Sequence, residues 1–194
     1  MDEEIGRIAQ TGKKPVLLLQ CCCAPCSSAG LERLASHCDL KLYCYNPNIY
    51  PAEEYEKRLS QFDKLLACPD ITGSAEMIPA VYEPEKFDEA AKGLESEKEG
   101  GKRCEACFRL RLFETARKAK EIGADYFCST LTVSPHKNSD LLNTIGKEAE
   151  KEYGVKLLPS DFKKKDGYKR SIELSNKLGL YRQNYCGCKY SITE

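Results

Sequence analysis

Hydrophobic and polar positions along this chain follow two alternating patterns. The stretch "PVLLLQC", Pro15 to Cys21, is a short apolar run that predicts a strand buried on both faces. A helical pattern follows from Ser27 to Ser36, with Leu31, Leu34 and Ala35 on one face. "DLKLYCYN" alternates from Leu40 through Leu42 to Cys44 and predicts a second strand, followed by the turn-rich "NPNIYP". "AEEYEKRLSQFDKLLAC" predicts an amphipathic helix carrying Tyr55, Leu59, Phe62 and Leu66, and "AEMIPAVY" a third strand. From Glu85 to Gly101 the chain is charged and predicts a helix running into a flexible loop.

From Cys104 to Ile122 helical spacing returns through Leu112, Ala116, Ala119 and Ile122, and Gly123 supplies a stop. "ADYFCSTLT" predicts a fourth strand. "NSDLLNTIGKEAEKEYG" predicts a helix capped by Asn138 or Ser139. "VKLLPSDF" predicts a fifth strand, the basic "KKKDGYKR" leads into a helix over Ser171 to Leu178, and "YRQNYCGCKYS" is irregular. Strands alternating with helices predict an α/β fold with a mainly parallel five-stranded sheet. Residues 1–14 form an N-terminal extension and 15–194 a single domain. In such folds the sites lie at the carboxyl ends of strands. Here those ends carry the cysteine-rich "QCCCAPC", the "NPNIYP" loop and "STLTVSPHK".

Composition narrows the class. The chain has 194 residues and zero formal net charge, so nucleic-acid contact would need a local basic patch. No apolar run reaches membrane-span length, and "MDEEIGRIAQTGKKP" lacks the apolar centre of a signal peptide, so a cytoplasmic location without membrane attachment is expected. Twelve cysteines in a reducing compartment argue against a disulfide scaffold and toward metal binding or catalysis. Cys44 and Cys128 sit inside strand patterns as small apolar residues, while Cys38 and Cys68 lie near helix ends without a nearby thiol partner. The rest form three clusters: "CCCAPC" at 21–26, "CEAC" at 104–107 and "CGC" at 186–188. Cys21 points into the sheet by alternation. That leaves Cys22, Cys23, Cys26, Cys104, Cys107, Cys186 and Cys188, more thiolates than the four a cubane cluster takes. The surplus implies either a second metal or a redox-active pair.

These blocks, "CCAPCS", "YNPNIYPAEEYEKR", "CFRLRLFETARKAKEIGADYFCSTLTVSPHK" and "SDFKKKDGYKRSIELSNKLGLYRQNYCGCKYS", in this order resemble the cobalamin-independent epoxyqueuosine reductases, the QueH family, from about Pro15 to Ser191. The resemblance implies a HUP-like (nucleotide α-hydrolase-like) sheet. It also implies the last step of queuosine biosynthesis: epoxyqueuosine at the wobble position of transfer RNA is reduced to queuosine with a [4Fe–4S] cluster and an adjacent mononuclear iron. No cobalamin is expected, and no ATP, because "CCAPCS" stands where an "SGG"-type phosphate loop would. The family pattern carries the ligand role to Cys22 and Cys23, to Cys104 and Cys107, and to Cys186 and Cys188. Cys26 holds a position that is cysteine or aspartate in the family, both able to ligate iron. The chain departs from the family at Gln20, where histidine is expected, and at His136, where an aromatic is expected.

The remaining candidates follow from this chemistry. Lys137 or His136 is a candidate proton donor to the leaving oxygen, and Asp161 is either a buried orienting acid or a simple cap. Asn46 and Asn48 orient the modified base, with Asx-turn chemistry as their alternative role. Lys163, Lys164, Lys165, Lys169 and Arg170 form a basic patch for the transfer-RNA anticodon stem-loop. Lys102, Arg103, Arg109 and Arg111 flank the middle cysteines, and Tyr168, Tyr181 and Tyr185 are stacking candidates. An electron donor of unidentified nature is required. Two rival readings remain at this level: a transfer-RNA sulfurtransferase-like thiol enzyme, and a zinc-stabilised RNA-binding module. Bound iron with inorganic sulfide separates the reductase from the zinc module.

Overall fold

The computed structural model describes residues 1–10 and 12–192. Five strands form one all-parallel sheet: β1 (Val16–Gln20), β2 (Asp39–Tyr43), β3 (Glu76–Ile78), β4 (Tyr126–Ser129) and β5 (Lys156–Leu157). Their spatial order is β3-β2-β1-β4-β5. The order reverses at β1, and a crevice outside the carboxyl ends of β1 and β4 is where such a sheet binds ligands.

The helices are α1 (Asp2–Gln10), α2 (Ala24–Leu34), α3 (Ala52–Leu66), the short α4 (Pro69–Thr72), α5 (Pro84–Ala91), α6 (Lys102–Glu121), α7 (Ser139–Tyr153) and α8 (Gly167–Lys177). Leu17, Leu18 and Leu19 are all fully buried, as expected of a strand covered on both sides. Leu17 and Leu19 join Leu31, Leu34, Phe62 and Leu174, contributed by α2, α3 and α8. Leu18 joins Phe127, Ala116, Ala119 and Ala149 on the other face, under α6 and α7. Each fully buried leucine contributes roughly 1.5–3 kcal/mol relative to exposure.

Element boundaries differ from the sequence pattern for local reasons. β3 stops at Ile78 because Pro79 offers no N–H to a ladder. The last helix begins at Gly167, four residues earlier than expected, after Lys165 and Asp166 turn the chain in the left-handed region at φ 55° and 58°. A Cβ on Gly167 would lie 1.8 Å from the Phe162 carbonyl oxygen, so only glycine allows this turn. Residues 1–14 contain α1, whose Ile5 and Ile8 enter the same core as β1. Its acids are engaged as well: Glu4 accepts from the Tyr126 hydroxyl at 2.8 Å, and Asp2 pairs with Arg33 and Lys165. Among the described residues, no helix is long and apolar enough to cross a membrane.

Candidate metal centre

The apolar strand β1 ends by delivering cysteines to the N-terminus of α2. Cys21 is fully buried, its thiol pushed far up by burial. Cys23 is the N-cap of α2, and its sulfur accepts from the Cys26 backbone N–H at 3.4 Å. Pro25 sits in the first turn of the helix, where its missing N–H costs nothing. The sulfurs of Cys22, Cys23 and Cys26 all lie within 4.8 Å of one another.

The three thiols titrate as a set. Hydrogen bonds from Cys23 and Cys26 hold the Cys22 thiol well below its ordinary value, outweighing burial, with the charges of Lys137 and Arg111 assisting. Burial and the neighbouring Cys22 push Cys23 up to about 12, and donation to Cys22 raises Cys26. Three sulfurs this close together are a chelating arrangement, because a metal can replace the thiol protons. In the metal-free protein at neutral pH, Cys22 is expected to be alkylated by iodoacetamide well before the buried Cys21, Cys44 and Cys128. Peptide mapping of a time course checks this, and equal labelling would contradict it.

The other two cysteine segments meet one another. On α6, Cys104, Cys107 and Arg111 lie at i, i+3 and i+7 and so share a face. The Cys104 sulfur accepts from the Gly100 N–H at 3.2 Å, and burial pushes the Cys107 thiol up to about 12 against the pull of Arg111. Cys186 and Cys188 act as charge neighbours of both Cys104 and Cys107. Cys188 packs with Cys107, Phe87 and Ala91. Between the last two cysteines, Gly187 has φ 116° and leaves no room for a side chain: its Cβ would meet Arg58 Nη1 at 2.8 Å and Ile49 at 3.2 Å.

A cavity of about 500 Å³ joins the first and last of these segments, with Cys22, Cys26 and Cys186 in its wall; α6 contributes Arg111 to it, and Cys104 and Cys107 are not among its lining residues. Cys22 and Cys104 both rest on the cluster around Phe108, Leu112 and Leu131. Lys137, half-buried in the same wall, feels Cys186, Cys22 and Cys26. Burial opposes its charge, but these thiols outweigh it and keep the amine's pKa above the ordinary lysine value. The donor set fits a thiolate-rich centre. Seven thiols are soft ligands of the kind that hold zinc or iron–sulfur clusters. Among the buried side-chain atoms without a partner are the Nη2 of Arg58 and the Nε of Arg111, both on residues lining the cavity. Unspent cationic donors beside a set of thiols suit an anionic cluster.

The other sequence candidates are distributed unequally. Asn46, Asn48, His136, Lys137 and Tyr168 line the cavity. Asn46 is occupied: its Oδ1 accepts from Gln20 at 3.1 Å and from Arg111 at 2.5 Å, and its Nδ2 donates to the Cys21 carbonyl at 2.8 Å. Gln20 completes this buried chain by accepting from the Ser129 hydroxyl at 2.8 Å. Asn48 Oδ1 is buried and unpartnered.

Asp161 does not line the cavity. It is held by Lys163 at 2.7 Å and Lys164 at 3.8 Å, which fixes it as a turn residue after β5. The basic patch is likewise largely neutralised: Lys165 pairs with Asp2 at 2.8 Å, and Arg170 with Glu32 at 2.7 Å and Glu173 at 3.1 Å. None of Lys163, Lys164, Lys165 and Arg170 lines the cavity. Tyr181 is engaged by Glu54 and lies under Lys57, whereas Tyr185 does line the cavity.

Sequence reasoning missed Arg58 and Gln183. Gln183 donates to the Cys23 sulfur at 3.0 Å. Arg58 had a legible signal: it falls between Tyr55 and Phe62 on the buried face of α3, where an apolar residue is expected. Gln183 had none, because its partner lies 160 residues away.

Comparison with known proteins shows the family. The family model described as "Epoxyqueuosine reductase QueH" matches residues 17–194. A Staphylococcus epidermidis protein of that name is 46% identical over 191 residues, covering 96% of this chain and 80% of the relative. One from Streptococcus pyogenes serotype M1 is 45% identical over 180 residues, covering 92% and 71%. One from Thermotoga maritima is 38% identical over 178 residues, covering 92% and 91%.

Proposed function

The chain belongs to the epoxyqueuosine reductase QueH family and is an oxidoreductase, and from that premise we propose its chemistry in detail. The substrate is epoxyqueuosine at the wobble position of a transfer RNA, presented in the anticodon stem-loop. The reaction takes the epoxide, two electrons and two protons to an alkene and water. The observation that carries this reading is a cavity at the carboxyl end of a parallel sheet walled by Cys22, Cys26 and Cys186, thiols from segments far apart in sequence, with the sulfurs of Cys22, Cys23 and Cys26 within 4.8 Å of one another.

Cys22, Cys23, Cys26, Cys104, Cys107, Cys186 and Cys188 are the proposed ligands, with Cys22, Cys104, Cys107 and one of the last pair on the cluster. A [4Fe–4S] cluster with an adjacent iron, bound by these thiolates, would supply electrons singly and a Lewis-acid position for the epoxide oxygen. The protein's own side chains do the rest. Lys137, kept as an ammonium by the surrounding thiols, holds a proton at Nζ for the departing oxygen, and His136 stands beside it at the exposed rim. Asn48 offers its unpartnered Oδ1 to an N–H of the modified base. Asn46 is fixed by Gln20 and Arg111 and so holds the floor of the cavity in place. Tyr168 and Tyr185 give the mouth aromatic faces for stacking on an unpaired base. The electrons come from a separate reductase or small redox protein, and neither cobalamin nor ATP takes part.

The test is conversion of epoxyqueuosine to queuosine in anticodon stem-loop RNA by anaerobically reconstituted protein with a chemical reductant and no cobalamin. Queuosine in the nucleoside digest is the expected result. RNA returned unchanged, with the iron–sulfur centre intact, would overturn the reading.

A further inference from the structure

Arg58 stands between the two cysteine regions. Its side chain is 3% exposed, and its Nε donates to Glu54 at 2.7 Å, a carboxylate itself only 10% exposed. A buried ion pair contributes little net stability compared with apolar packing, so this one calls for a further explanation. Nη1 donates to the Cys186 carbonyl at 3.1 Å, and the guanidinium lies over the Tyr185 ring at 5.1 Å. Gly187 packs directly against it. These contacts hold the "CGC" turn from one side. The third nitrogen, Nη2, is buried without a partner, and Arg58 shares a cavity wall with Cys22 of the other region.

We infer that Arg58 is the positioning residue of the centre: one arm of its guanidinium sets the Cys186–Cys188 turn, while the arm left without a protein partner is the donor for a sulfur of the bound centre on the Cys22 side. The inference rests on reading these cysteines as iron ligands. Planar fork geometry is essential, because a lysine could keep the charge but could not serve both sides. Hydrogen bonds and positive charge near cluster sulfurs raise the reduction potential by stabilising the more anionic reduced state.

The experiment compares wild type, Arg58→Lys and Arg58→Met after anaerobic reconstitution. It reads iron retention against a chelator and the reduction potential, with circular dichroism of the metal-free chains as the folding control. Arg58→Met is expected to retain iron about 10- to 100-fold less tightly, with a more negative potential. Arg58→Lys is expected to keep a near-wild-type potential while still losing about 10-fold in retention. A folded Arg58→Met chain with wild-type retention and potential would overturn the inference. If Arg58→Met does not fold, wild-type retention by Arg58→Lys overturns it instead. A wild-type chain that takes up no iron would overturn the metal reading itself, a result distinct from either variant's.

Discussion

Replacing Cys22 with alanine is expected to reduce epoxyqueuosine turnover to below about 1% of wild type. Residues that merely support a metal ligand typically cost about 10- to 100-fold when removed, so loss of a ligand should cost more. Cys22 is the sharpest choice among the seven. Its sulfur lies within 4.8 Å of those of Cys23 and Cys26, its thiol is held well below the ordinary range by these neighbours, and it lines the cavity. Its side chain also touches the Phe108 and Leu131 cluster only at its edge, so the fold should survive. Cys21→Ala is the matched control: one position away, fully buried and facing the apolar core, it should retain most activity at a modest cost in stability. Activity and iron content measured together decide the matter. A Cys22→Ala protein with full iron and full turnover would remove that residue from the centre.

The second large effect is expected at Lys137. Lys137→Met keeps the length of the stem and removes the proton and the charge. A positioned general acid contributes about 10²- to 10⁴-fold, and a loss in kcat of that order is expected, with a much smaller change in KM. His136→Ala should cost less, because that side chain sits at the exposed rim. The pH dependence has a definite sign. The lysine pKa is raised, with the thiols of Cys186, Cys22 and Cys26 outweighing the effect of burial. The protonated form therefore persists throughout the neutral range, and activity that depends on it falls only as pH rises past the ordinary lysine value. A steady-state pH profile checks this. A Lys137-dependent limb below neutrality would contradict it.

Much of the fold was legible because it depends on near neighbours. The "PVLLLQC" run, the alternation of Leu40, Leu42 and Cys44, and the helical spacing through Ala116 and Ala119 each reported an element whose burial follows from its own residues. Where the pattern failed, the cause was an interaction across the fold. The docking of α1 depends on Ile5 and Ile8 meeting a core that the first fourteen residues do not reveal. The lysines of "KKKDGYKR" look like free charge in sequence, but Asp161 engages Lys163 and the remote Asp2 engages Lys165. The site divides in the same way. Cysteine spacing drew notice to three segments, because few other chemistries need thiols at that density, and the first of them brings the sulfurs of Cys22, Cys23 and Cys26 within 4.8 Å of one another. The buried Gln20–Asn46–Arg111 chain, the Arg58 clamp and the Gln183 contact to Cys23 connect residues far apart in sequence, and only the folded chain joins them.

The most direct test of the whole account is the metal and sulfide content of the anaerobically reconstituted wild-type chain. About four sulfides and about five irons per chain, in a brown protein, are expected if the seven thiolates hold a cubane cluster and one further iron. A colourless protein with stoichiometric zinc and no acid-labile sulfide would contradict it.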